Sequence, residues 1–161
     1  MTFELLYNTY FADVYRFAVW LTHDVAEAED VTSETFVRAW AKRDRFRTET
    51  LKGYLFATAR NIFLKHRHRS KRIEQLPEEL ADRSPDPHRA AVARLDLDRV
   101  TRSLSQMSSS DRQALVLRTE HSLPYEEIAR ILEISTGAAR VKVHRARRRL
   151  LAQTMNNDGG E

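Results

Sequence analysis

The chain has 161 residues, 42% of them hydrophobic and 31% charged, with a formal net charge of +4. That is room for one ordinary domain or two small ones, and the basic surplus suits a polyanionic partner, although solubility alone would account for it. The absence of cysteine excludes disulfides, thiolate nucleophiles and cysteine-ligated zinc, and the longest uninterrupted apolar run, Phe17 to Leu21, is far too short to span a bilayer.

The first residues, Met1-Thr2-Phe3-Glu4, carry neither the basic start nor the apolar stretch of a secretion signal. Leu6, Tyr10, Val14, Phe17 and Leu21 recur at helical spacing and predict a first helix with one apolar face. Asp24 offers the next N-cap, with Glu27 three residues on, a capping-box pattern with Asp in the place of Ser or Thr. A second helix to about Lys42 follows, with Val31, Phe36, Ala39 and Trp40 available for packing. Arg43 to Thr50 is polar and reads as a connector. A third helix begins near Leu51, carries Leu55, Ala59 and Ile62 on one face, and runs into the basic stretch Lys65 to Arg72.

Composition then shifts. Pro77, Pro85 and Pro87 interrupt an acidic stretch, and proline both stops helices and extends the residue before it. The segment 75–92 therefore reads as a linker between a domain at 1–74 and another at 93–155. Fully extended, some 14 of its residues reach roughly 45–50 Å. Leu95, Val100 and Leu104 share a helical face. Ser108 with Asp111 forms a second capping-box pattern, opening a helix that carries Leu115 and Leu117. Residues 156–161 read as a frayed tail. The four glycines, Gly53, Gly137, Gly159 and Gly160, cannot be written into a phosphate-cradling loop.

The most specific local pattern is Leu123 to Arg145. Pro124 suits a first helical turn, where its missing N–H needs no partner. Ile128, Ala129 and Leu132 give a short helix an apolar side, and the small Ala129 permits a close crossing. Ser135 can cap a second helix. On that helix Ala139, Val143, Ala146 and Leu150 fall in one stripe, with Arg140, Val141, His144, Arg145 and Arg148 opposite. No acidic residue occurs between Ser135 and Asn157. Solvated faces usually mix signs, whereas a purely basic outer face fits a major groove walled by phosphates.

With these residues in view, the sequence resembles the extracytoplasmic-function branch of bacterial RNA polymerase sigma factors. Tyr125-Glu126-Glu127-Ile128-Ala129, then Gly137 and His144-Arg145-Ala146-Arg147-Arg148-Arg149-Leu150, resembles region 4, the reader of the −35 element. Glu29 to Phe36 with Ala39-Trp40 resembles region 2.2, and Tyr54-Leu55 with Ala59-Arg60-Asn61 resembles regions 2.3 and 2.4. Some positions depart from the family pattern. Ser33 stands where Gln is common and Tyr54 where Trp is common. Glu133 replaces the turn glycine, Pro124 the usual Ser cap, and Ala138 the Thr that often follows Gly137.

The resemblance implies an all-α protein of two small helical domains on a flexible linker, binding no cofactor and catalysing no reaction. It implies that Asp30, Ser33, Glu34 and Phe36 meet the clamp of core RNA polymerase. Taken alone, the Glu27/Asp30/Glu34 stripe would read as solvated, and Phe36 fits a core or an interface equally well. Tyr54, Arg60, Asn61, Lys65 and Arg67 would capture the unpaired −10 strand, by stacking for Tyr54 and by hydrogen bonds to an extruded base for Asn61. Tyr54 suits a core equally, and Asn61 a plain helix surface. Ser135, Thr136, Arg140, Val141, Lys142, His144 and Arg145 would read the −35 duplex. Val141 is either an incidental exposed valine or a thymine-methyl contact. Expected partners are core polymerase (clamp and flap), promoter DNA and an anti-sigma factor, in a cytoplasmic, nucleoid-associated setting with no membrane insertion. His66, His68, His121 and His144 do not make a metal site in this reading, because the first two sit among cations. The rival reading is a stand-alone helix-turn-helix regulator whose N-terminal half senses a ligand or dimerises.

Overall fold

The computed structural model describes residues 1–46, 51–74, 104 and 106–157, with side chains as far as 69 in the third helix and all but 154, 156 and 157 in the last. The described residues are helical and turn structure only, and the chain divides into two compact units, Met1–Ala81 and Asp82–Glu161. The expected linker at 75–92, with Leu95 and Val100 beyond it, lies outside the described residues, as does most of the connector before Leu51.

In the first unit, α1 (Phe3–Thr22), α2 (Val25–Ala41) and α3 (Leu51–Glu74) pack pairwise against one another. Thr2 caps α1 by accepting from the Leu5 amide at 3.1 Å. The helix ends on His23, held left-handed at φ 53°. Asp24 Oδ1 accepts from the Glu27 amide at 3.0 Å, as a capping residue should. The returning half of the box is absent, because the Asp24 amide donates to Thr22 Oγ1 at 3.3 Å instead. Leu6, Val14, Phe17 and Leu21 are buried as the spacing predicts. Phe17 meets Phe56 of α3 edge-on at 5.1 Å, a favoured aromatic geometry. Thr32 and Thr35 enter this core at little cost, since each hydroxyl donates to a carbonyl one turn back, at 2.7 and 2.6 Å. A single 3-10 turn, Arg43–Arg45, follows α2.

In the second unit, α4 (Ser109–Thr119), α5 (Tyr125–Leu132) and α6 (Thr136–Asn157) pack pairwise. Ser108 caps α4 through the Asp111 amide at 3.2 Å. Pro124 stands one residue earlier than its sequence context suggested. It is the N-cap of α5, extended at ψ 155°, and only its carbonyl serves the helix, accepting from Glu127 and Ile128. At the other end Glu133 N donates to Arg130 O and Ile134 N to Ala129 O. This is a Schellman closure with a left-handed glutamate, φ 56°, where glycine is usual. Ser135 caps α6 through the Ala138 amide at 3.1 Å. Ile128, Ala129, Ala139, Val143 and Ala146 are all buried, so the small residues let α5 and α6 cross closely.

Candidate functional site

α2 presents Asp30 and Ser33 to solvent, beside Val37 at 65% exposure. Glu34 is placed differently. Its carboxylate takes Arg38 one turn on and reaches His66 Nε2 of α3 at 3.2 Å. An acid tied to two internal partners has less of its field left for an outside one. Phe36 is 1% exposed and its ring lies 5.0 Å from that of Tyr7. The interior reading therefore holds, and Phe36 is withdrawn from the contact surface, because an amphipathic helix must commit its aromatic to the core it covers.

On the α2–α3 side a groove of about 580 Å³ collects Tyr54, Asn61 and Lys65 with Arg38, Lys42 and Thr58. Asn61 and Lys65 are exposed, while Tyr54 is half-buried with its ring 4.8 Å from Phe46. The groove thus offers one aromatic wall, one amide with both donor and acceptor, and a cationic rim. Arg60 and Arg67 do not line it. Arg60 is half-buried, and Arg67 lies over the Phe63 ring at 5.6 Å.

In the second unit α6 buries Ala139, Val143 and Ala146 completely and leaves Leu150 half-exposed. Opposite this stripe Arg140, Val141, His144 and Arg148 are exposed, Val141 at 52%. Val141, His144 and Arg148 line a shallow recess of about 520 Å³. Ser135 spends an acceptor on its cap, and Thr136 is half-buried beside it. Lys142 and Arg145 turn back toward α4. Lys142 Nζ lies 3.5 Å from Asp111 Oδ1, and Arg145 Nη1 3.7 Å from Oδ2. Arg149 is held as well, donating to the Gln106 carbonyl at 3.0 Å. Lys142 is thus the half-buried cation of this face, while Arg145 and Arg149 make their contacts within the unit and still line the outward recess with Val141, His144 and Arg148.

Two residues outside the expected set organise this face. Asp111 looked like the far end of a capping box, but its carboxylate is buried and serves α6 instead. The sequence carried only a faint signal of it: the 22-residue helix has no acid of its own, so any counter-charge for a cation it half-buries has to come from elsewhere in the chain. Tyr125 looked like part of a family motif only. Its ring carries the Arg118 guanidinium at 4.4 Å and that of Arg140 at 5.4 Å. No periodicity argument would have found that contact.

Comparison with known proteins adds to this geometry. The Sigma-70 region 2 family matches residues 6–73, and the Sigma-70 region 4 family matches residues 97–150. The ECF RNA polymerase sigma factor SigM of Bacillus subtilis is 31% identical over 159 residues, covering 94% of each chain. SigE of Mycolicibacterium smegmatis, another ECF sigma factor, is 35% identical over 144 residues, 85% of this chain and 55% of that one. Among solved structures, the sigma factor RpoE of Bartonella quintana, crystallised with the anti-sigma factor NepR, superposes with a TM-score of 0.76 at 26% identity, over 95% of this chain and 96% of that one.

Proposed function

Because the chain belongs to the ECF family of RNA polymerase sigma factors, alternative sigma factors that direct promoter-specific transcription without being enzymes, we propose a division of that task among its residues. The N-terminal unit, residues 1–74, docks on the polymerase clamp through the exposed Asp30 and Ser33, with Glu34 contributing what Arg38 and His66 leave of its charge. The Tyr54–Asn61–Lys65 groove holds an unpaired base of the −10 element. Stacking on an aromatic is worth about 1–3 kcal/mol per base, and the amide of Asn61 can pair with a base edge. Segment 75–92 leads to the C-terminal unit, 93–155. There α6 enters the major groove of the −35 element, and Arg140, Val141 and His144 face base edges.

The observation that carries this reading is the outer face of α6: exposed, basic, free of acids, and backed by the buried Ala139, Val143 and Ala146. Lys142, whose ammonium lies against the buried Asp111, moves from base reader to anchor, while Arg145, 60% exposed and lining the recess with Val141, His144 and Arg148, stays on the reading face. As with RpoE of Bartonella quintana and NepR, we assign this chain an anti-sigma partner, and place it on nucleoid DNA in the cytoplasm with core polymerase. The test is reconstitution: the full chain mixed with bacterial core polymerase and genomic DNA, followed by sequencing of the initiated transcripts. Transcripts sharing −10 and −35 motifs are expected, and indiscriminate starts equal to those of core polymerase alone would reject the proposal.

A further inference from the structure

We infer that Tyr125 is a positioning residue for −35 recognition: its ring pre-orders the Arg140 guanidinium for a base edge. The inference rests on the reading of Arg140 as a base contact. Arg140 is exposed near the start of α6, opposite the buried Ala139 and Val143. A free arginine there would sample many rotamers, and fixing it on DNA would cost most of its side-chain entropy. The guanidinium instead lies over the Tyr125 ring, 5.4 Å from its centroid. The ring is itself fixed from the other side of the chain order. Arg118 of α4 lies over it at 4.4 Å while Arg118 Nη1 donates to the Leu123 carbonyl at 3.0 Å. A relay thus runs from the end of α4, through the first residue of α5, to the first turns of α6.

The chemistry makes the ring contact and the base contact compatible. A guanidinium stacks through its face, and its N–H groups point outward in its own plane. A guanidinium held over the Tyr125 ring in this way can keep its edge for the two acceptors of a guanine, O6 and N7. Cation–π attraction also strengthens as water leaves the interface, so the ring acts more strongly on the bound arginine than on the free one.

The test is a −35 specificity profile. A duplex library randomised across the −35 element is offered to the full chain assembled with core polymerase, for wild type, Tyr125→Leu, Tyr125→Phe and Arg140→Ala. Arg140→Ala is expected to flatten preference at one position. Tyr125→Leu should reduce preference at that same position by about three- to tenfold, with the salt dependence of binding unchanged, while Tyr125→Phe keeps the wild-type profile. If Arg140→Ala flattens a position that Tyr125→Leu leaves intact or sharpens, the positioning role is refuted while the base reading stands. If Tyr125→Leu weakens all sequences alike and lowers amide protection in α5 and α6, Tyr125 is structural only and the inference fails. If Arg140→Ala flattens nothing, the base reading itself falls and takes the inference with it.

Discussion

Replacing Asp111 by Asn removes one negative charge at nearly constant volume, so no cavity contributes to the effect. The carboxylate side chain is 7% exposed, and its two cations stand at 3.5 Å and 3.7 Å. At an effective dielectric near 20, a pair at this separation attracts by about 4 kcal/mol gross. Screening removes most of that for Arg145, whose side chain is 60% exposed, leaving roughly 0.5 kcal/mol. Lys142, at 24% exposure, retains more, about 1–1.5 kcal/mol. Both cations can swing to solvent in the mutant, which limits the loss to about 2 kcal/mol rather than the 3–5 typical of a stranded buried charge. Native-state hydrogen exchange should show roughly 30-fold faster opening of α4, α5 and α6 amides. Trp20 and Trp40, both in the first unit, should report unchanged fluorescence unfolding there. Protection in the second unit equal to wild type would refute the claim that Asp111 anchors the recognition helix.

Three other outcomes follow from the placements above. Asp30→Lys should weaken binding to core polymerase by several kcal/mol without altering the melting temperature, since Asp30 is exposed; Glu34→Gln should weaken it less, because Arg38 and His66 already share that carboxylate, and a pull-down titration separates the two. Asn61→Ala should slow open-complex formation more than closed-duplex binding, and premelted promoter probes with −10 base changes should affect mutant and wild type differently; identical responses would count against the groove as a base site. Glu133→Gly should stabilise the second unit by about 1 kcal/mol, because a left-handed glutamate at φ 56° bears a steric cost that glycine avoids, and urea unfolding followed by hydrogen exchange measures it.

The helices were legible wherever one residue set both a period and a boundary. Asp24, Ser108 and Ser135 each cap where the spacing placed them, because a cap depends only on the three residues that follow. The Ala139–Val143–Ala146 stripe was legible for the same local reason. What spacing cannot supply is the partner across a core. Glu34 shares an acidic face by sequence, yet its partner on another helix, His66, is 32 residues away. The pattern left Phe36 equally suited to core and surface, and only the packing of Tyr7 against it decides. Arg145 counted as an outward residue on a helical wheel and is 60% exposed, but the wheel shows angle and not the height at which α4 brings Asp111 within 3.7 Å of it. Pro124 slipped by one position because a proline fits both the cap and the first turn, and the chain geometry alone distinguishes them.

The split on α6 bears on how such a protein changes its target. The residues that attach α6 to its unit include Ala139, Val143 and Ala146 in the core, Lys142 and Arg145 on Asp111, and Arg149 on the Gln106 carbonyl. Arg140, Val141, His144 and Arg148 lie outside that set and are exposed, so exchanging them costs little stability. Mutational drift at these four positions can explore new operator sequences while the scaffold stays intact. A library randomised only there, with Asp111 and its cations untouched, is accordingly the economical starting point for building orthogonal promoters around this chain.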